Sequence, residues 1–147
     1  MYFDTPVQVI STVSLVLVCA YAVWRGGRPE RWAAALVFID WFATPLLQNQ
    51  RDLGHIQIAI FVLDGAFTAA IFGIAITSNR FWPLWMAAFL LLELVMHVAM
   101  LVDHRVRGRA YFIGMEIFSY FSLLALAIGA RIEGPRPALR TRGSITS

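Results

Sequence analysis

The sequence predicts an all-α fold: a polytopic transmembrane helix bundle of about five spans with a short disordered C-terminal tail. Three observations carry that expectation. The mean hydropathy is +0.68, and 59% of the 147 residues are hydrophobic. Charged residues make up 14% of the chain, where soluble domains carry about a quarter. The apolar residues are also gathered into five runs, 7–24, 32–48, 56–77, 82–102 and 110–130, each of 17 to 22 residues. That is near the roughly 20 residues a helix needs to cross a bilayer, and an open-ended segment in lipid must be helical because lipid offers its backbone no hydrogen bonds.

The first run, 7–24, holds the one cysteine, Cys19, among aliphatic neighbours. A single cysteine builds no disulfide or Cys-based metal site within one chain, and Cys19 reads as an inert packing residue. Phe3-Asp4-Thr5 supplies no positive leader region, so the run is expected to be a retained span and not a removed signal peptide. "RGGRPER" follows, with Gly26-Gly27 for a turn and Pro29 for the first turn of the next helix.

The second run, 32–48, is the shortest and contains Asp40 and Pro45, so a re-entrant segment competes with a full crossing. "QNQRDLGH" separates it from the third run, in which Gly65, Ala66, Ala69 and Gly73 read as close-packing positions between helices. "TSNRFWP" then offers Ser78 or Asn79 as a helix N-cap, with Pro83 in the first turn. The fourth run carries "LELVMHVAML", an apolar stretch with Glu93 and His97 set into it. After the basic "DHRVRGR", the fifth run carries Glu116. From 132 the chain has few apolar residues, two prolines and three arginines. Residues 1–131 are therefore expected to form the bundle and 132–147 a disordered basic cytoplasmic tail.

All 12 basic residues are arginine, so no lysine is present for Schiff-base or general-base chemistry. This resembles, in general style, short inner-membrane proteins of arginine-rich bacterial genomes, and points to a bacterial inner (plasma) membrane. The net charge of +3 is no nucleic-acid signal, because the arginines cluster at the ends of apolar runs. With five spans and the N-terminus outside, the cytoplasmic side receives eight arginines (25, 28, 31, 80, 131, 136, 140 and 142). The outer side receives four (51, 105, 107 and 109). Dropping the second span gives a poorer split, seven against five. Trp24, Trp32, Trp82 and Trp85 all fall at ends assigned to the inner face, the headgroup level that Trp prefers, and only Trp41 lies mid-span.

Spans two to five each carry an acid, Asp40, Asp64, Glu93 and Glu116, and no span has Arg or Lys in its interior. Each acid costs about 2.5–3.5 kcal/mol on insertion scales, so four cost on the order of 10 kcal/mol uncompensated. That is comparable to the whole stability of a domain, so the acids must be neutralised, paired, hydrated or bound to a cation. Helical spacing gathers them into stripes: Asp40, Thr44 and Gln48; Gln57, Asp64 and Thr68; Glu93, His97, Met100 and His104; Glu116, Ser119 and Tyr120. Asp40, Asp64 and Glu93 lie near their span centres. Because spans four and five run antiparallel, His97 and Glu116 reach the same level, about 7 Å off the midplane, and are expected to meet. Glu93 and His97 thus form one side of a buried constellation, with Glu116 and Asp64 as partners across helix interfaces. The groups are expected to titrate as a coupled set.

Asp40, Asp64, Glu93, His97 and Glu116 are accordingly the residues of a proton or cation pathway, the usual use of acid and His chains at mid-membrane depth. At this size, a homo-oligomer or a place in a larger membrane complex is expected, with the lipid bilayer as surroundings and no nucleic-acid partner. Two alternatives remain open. The acids are protonated or hydrogen-bonded glue in a non-catalytic accessory or assembly subunit, or they serve a membrane metal or redox protein. A metal would draw on Glu93, His97 and Glu116, but helix-bundle di-metal proteins use Glu-x-x-His from each of two helices, and here Glu-x-x-x-His occurs once. For haem, His97 has no partner histidine at its depth. His55 and His104 share a level only at the outer rim, where they suit a surface metal. No residue pattern names a cofactor. Hydrolytic signatures such as G-x-S-x-G, H-E-x-x-H and a phosphate-cradling glycine loop are absent from the sequence, which points away from an enzyme.

The arginine count makes a topological prediction. Reporter fusions after Ser147 and within 79–81 should both read as cytoplasmic. A cytoplasmic tail together with an external 79–81 loop excludes five spans.

Overall fold

The computed structural model describes residues 6–47, 56–102 and 109–132. They form five α-helices and no strand: α1 Pro6–Arg25, α2 Arg28–Leu47, α3 Ile56–Thr77, α4 Trp82–Val102 and α5 Arg109–Ile132. The third and fourth coincide with the apolar runs, and the others differ by up to four residues at an end. Each helix packs on its neighbours in chain order, and α5 returns to α1, with a smaller contact from α5 to α2. The two short connections, 26–27 and 78–81, make their flanking helices antiparallel neighbours. The Tyr111–His97 contact places the start of α5 by the finish of α4, and the Ser11–Glu116 contact places the start of α1 beside it, so α1, α3 and α5 begin at the end where α2 and α4 finish.

Three stretches among the described residues are long and apolar enough to cross a membrane: Ile58–Thr77, Trp82–Met100 and Ile113–Ile132. In α1 the apolar stretch Val9–Arg25 is shorter. Helix α2 is continuous for 20 residues with Pro45 inside it, so its chain does not turn back as a re-entrant segment does. Its length of about 30 Å matches a bilayer core, while Glu30 and Asp40 lower its apolarity.

The bundle's exterior is aliphatic and aromatic. Leu17, Ile39, Val62, Ile76, Val95 and Leu124 are all more than half exposed. Monomeric proteins in water rarely expose contiguous apolar patches beyond a few hundred Å², and a hydrocarbon surround removes that constraint. The core is tightly filled by small and medium side chains. Leu15, Ala22, Ala33, Ala34, Ile71, Met86, Leu90, Leu126 and Ala130 are buried together. Cys19 is buried with them, its Sγ donating to the Ala34 carbonyl at 3.6 Å, which agrees with a packing role.

Helix α2 begins four residues earlier than its apolar run because Glu30 closes its first turn. The Glu30 carboxylate is fully buried and accepts the Gly27 N–H at 2.7 Å and the Trp82 indole N–H at 2.8 Å. Gly27 precedes the first helical residue, so Glu30 supplies the return half of a capping box. The Arg80 guanidinium reaches the same turn, 3.6 Å from where a Gly27 side chain would start. Gly26 is required by close approach: a Cβ there would run into the Ala22 carbonyl and Glu30 Cβ. Gly129 of α5 is required likewise, because the Trp82 ring lies against it.

Several expectations are corrected here. Trp82 is not a headgroup anchor, being 4% exposed and engaged with Glu30, whereas Trp24, Trp32 and Trp85 do face outward. Helix α4 starts at Trp82, so Phe81 takes the position expected of Ser78 or Asn79. The Ser78 hydroxyl is buried with no hydrogen-bond partner among the described residues. The small-residue stripe of α3 is not a packing seam: a Cβ on Gly65 or Gly73 would meet nothing within 4 Å, and Ala66 and Ala69 are exposed. Small size alone does not orient a helix when acids on its other side must be buried. The placements of His55, Gln48, His104, the arginines of the 48–55 and 103–108 connections, and the tail from 133 lie outside the described residues.

The Gly26 contact yields a test. Gly26→Ala should destabilise the bundle by about 1–3 kcal/mol, the usual cost of overpacking, because the obstructing atom is backbone. Tryptophan fluorescence during thermal unfolding in detergent should show a lower midpoint. An unchanged midpoint contradicts the close approach.

Candidate functional site

Helix α4 builds the centre of the site. Met86, Leu90, Glu93, His97 and Met100 recur at steps of four, three, four and three, and all are buried. That spacing keeps one stripe turned to the bundle axis, and it carries Glu93 and His97 inward with their apolar neighbours. His97 is 4% exposed. Its Nε2 lies 2.8 Å from Asp64 Oδ2 on α3, and its Nδ1 lies 3.0 Å from the Tyr111 hydroxyl on α5. The Phe61 and Tyr111 rings stand edge-on to the imidazole, at 6.2 and 5.9 Å between centroids. With Asp64 ionised, Nε2 carries the ring proton and Nδ1 accepts the Tyr111 hydroxyl's. The imidazole thus links three helices.

One turn deeper, Glu93 Oε1 accepts the Ser119 hydroxyl of α5 at 2.8 Å. Asp40, Asp64 and Glu93 lie within electrostatic reach of one another. Asp40 Oδ1 is buried and has no hydrogen-bond partner among the described residues. On the stripes of Asp40 and Asp64, the hydroxyls of Thr44 and Thr68 bond the backbone carbonyls of Asp40 and Asp64, at 2.9 and 2.7 Å. They satisfy their own helices and leave those carboxylates to other partners.

Glu116 belongs to a different interface. Its Oε1 accepts the Ser11 hydroxyl of α1 at 2.7 Å, and Ser11 also lies 2.9 Å from the Tyr120 hydroxyl. The expected meeting of His97 and Glu116 is not made. Both ring nitrogens of His97 are taken by Asp64 and Tyr111. Equal depth was necessary for contact but not sufficient. Tyr111 and Glu116 are five residues apart, about 140° around the helix, so when Tyr111 faces α4 Glu116 turns to α1. Glu93, His97 and Glu116 therefore do not form one metal-ligand set, and among the described residues no three of His, Cys, Asp and Glu are grouped to hold a metal.

Of the five residues the sequence singles out, the structure joins Asp64 to His97 directly, places Glu93 and Asp40 within electrostatic reach, and draws Glu116 aside. Sequence reasoning missed Tyr111, Ser11 and Glu30. Tyr111 could have been found by depth, since it lies in the first turn after the connection that follows His97. Ser11 was a polar residue in a run assigned no role. Glu30 stood at capping-box spacing from Gly27, a signal in the sequence that went unused. Comparison with protein-family models, curated proteins and solved structures finds no match for this chain.

The geometry sets which residues should be energetically coupled. A double-mutant cycle of His97→Ala with Asp64→Asn should give a coupling above about 0.5 kcal/mol, whereas His97→Ala with Glu116→Gln should be additive within that margin. Unfolding in mixed micelles measures both, and the reverse ordering rejects the arrangement.

Proposed function

We propose that the protein is a proton- or cation-conducting, or proton-coupled, transport component of a bacterial inner membrane, crossing it five times with its N-terminus outside and its tail in the cytoplasm. The observation that carries this reading is the Asp64–His97 contact, an acid and an imidazole at 2.8 Å inside a bundle whose outer surface is apolar. Ionisable groups at such depth are costly and typically mark ion paths or proton relays. Asp40 of α2 and Glu93 of α4 lie within electrostatic reach of the pair, Glu116 stands apart at the α1–α5 interface, and the arginines of these helices sit only in their end turns. A mass of 16.5 kDa is small for a transporter, which favours a homo-oligomer or a subunit of a larger complex.

A second reading, a non-catalytic accessory or assembly subunit, is favoured by an open apolar groove of about 820 Å³ between α1 and α2, lined by Val16, Ala20, Ala34, Ala35 and Phe38 among others. On that reading the acids are hydrogen-bonded glue, as Glu116 with Ser11 and Glu93 with Ser119 would allow.

Glu93→Gln separates the two. Glutamine keeps the size and can still accept from Ser119, but removes the titratable proton. On the transport reading, pH-driven flux in proteoliposomes should be abolished while the melting profile is retained. If flux persists at the wild-type rate, Glu93 has no part in transport.

A further inference from the structure

The polar groups are distributed unevenly along the bundle. Counted from the end where α5 begins, and at about 1.5 Å per residue, Tyr111 lies about 3 Å in, His97 about 7.5 Å, Asp40 about 10.5 Å, Asp64 about 12 Å and Glu93 about 13.5 Å. They form a ladder from one end to the middle. Just beyond the middle the buried polar side chains are Thr68 and Ser122, whose hydroxyls bond carbonyls of their own helices, and Ile71, Ala75, Met86, Leu90, Leu126 and Ala130 are buried around and past them. This layer separates Glu93 from Trp82 by eleven residues of α4, about 16 Å. The next buried acid is Glu30, which is committed to Gly27 and Trp82.

The partners on the ladder also discriminate between ions. Hard metal cations take six or more oxygen ligands, and no three of His, Cys, Asp and Glu are grouped for one among the described residues. What the ladder does provide is hydrogen bonds in series, from the Tyr111 hydroxyl to His97 Nδ1 and from His97 Nε2 to Asp64 Oδ2.

We infer that the ion handled by this constellation is the proton, and that it is exchanged with one end of the bundle only, through Tyr111, His97 and Asp64 in that order. The inference rests on the transport reading above. In the inward step a proton arrives at Tyr111 Oη as the hydroxyl's own proton passes to Nδ1. The Nε2 proton then passes to Asp64 Oδ2. One proton has entered at the phenol and one has appeared on the carboxyl, leaving the imidazole protonated on Nδ1. Once the Asp64 carboxyl has passed its proton on, a turn of the imidazole that brings its one N–H back to Asp64 restores the starting arrangement. The titratable groups facing this chain are Asp64 from α3, Tyr111 from α5, Asp40 from α2 and Glu93 from α4 itself. On the α1 side of α5, Glu116 and Tyr120 are engaged with Ser11. The largely apolar layer beyond the middle is the barrier that keeps the far side closed in this conformation. Tyr111 is the positioning and relay residue that the sequence stripes omitted.

The test uses the full chain in two measurements. In proteoliposomes with a trapped pH dye and an imposed potassium diffusion potential, the wild type should carry protons at a rate unaffected by sodium or magnesium gradients. Tyr111→Phe should lower that rate by about a hundredfold, the low end of what a positioned proton-transfer group contributes. Tyr21→Phe, remote from the ladder, should not lower it. Wild-type flux of sodium in place of protons overturns the proton assignment while leaving transport standing, and a Tyr111→Phe rate equal to wild type overturns the route. Nitrogen-15 spectra of the histidines, with His97 assigned by its loss in His97→Gln, supply the second measurement, which needs no turnover. They should show His97 as the Nε2–H tautomer, with Nδ1 losing its hydrogen-bond shift in Tyr111→Phe. An Nδ1–H tautomer, or a spectrum unmoved by that substitution, overturns the relay even where flux is seen. Absence of any ion flux from a wild type with the expected spectrum removes the transport reading itself, and with it the inference.

Discussion

A hydrocarbon surround donates and accepts no hydrogen bonds, so each polar group carried into it must be answered from another helix or from its own. That constraint accounts for most of the observed packing. Helices α3, α4 and α5 meet where Asp64, His97 and Tyr111 bond in series. Helices α4 and α5 meet again at Glu93 and Ser119, and α5 is tied to α1 at Glu116, Ser11 and Tyr120. Polar contacts thus run through α3, α4, α5 and α1, and α2 is tied in by Glu30 to Trp82 and by the Cys19 contact with Ala34, because helices in lipid gain little from hiding apolar surface from one another. Apolar side chains fill what the polar contacts enclose.

The two ends solve the same problem differently. At the end with the 26–27 and 78–81 connections, a single acid is buried completely and given defined donors. Glu30 caps α2, receives the Trp82 indole, and stands beside Arg80. Gly26 and Gly129 are small because this arrangement needs the space above them. Such a cluster has its donors in fixed positions and little left to change. At the other end and into the middle, the acids are answered by hydroxyls and one imidazole. Asp40 keeps a buried oxygen with no partner among the described residues. Hydroxyl and imidazole hydrogens can be rearranged without moving a heavy atom far. The first cluster has its donors fixed, and the second keeps hydrogens that can change places.

Much of this was legible in the sequence, for physical reasons that also mark where legibility stopped. The extents of α3 and α4 followed from apolarity alone, since lipid selects strongly for it. The burial of Glu93, His97 and Met100 followed from their spacing, because a polar stripe has nowhere else to face. The start of α2 did not follow, because its first turn is held by a capping contact and a distant indole, and Trp82 is 52 residues away from Glu30 in sequence. The partner of His97 was half legible. Asp64 was among those named, but Tyr111 displaced Glu116, since depth can be counted along a chain while helix rotation is decided by all neighbours together. The α3 small-residue stripe failed for the same reason. Rotating it inward would have turned Asp64 away from His97.

The remaining question is why a bundle should retain the Asp64–His97 contact at all. Stability is a weak answer. Taking charges out of a polar medium costs several kcal/mol per ion, and well-packed apolar residues of similar volume commonly do as well or better. Part of the other half shows the alternative in the same molecule: Met86, Leu90, Ile71 and Leu126 pack together as one apolar layer, with Glu30 lying beyond it at the end of the bundle. Helices α3, α4 and α5 could in principle have been joined throughout in that way. An imidazole bonded on both nitrogens to a carboxylate and a phenol offers what no apolar substitute can, a place for a proton to be held and passed on. Glu30, held by Gly27 and Trp82, is an acid kept for position, and the Asp64–His97–Tyr111 series differs from it in having hydrogens free to change places.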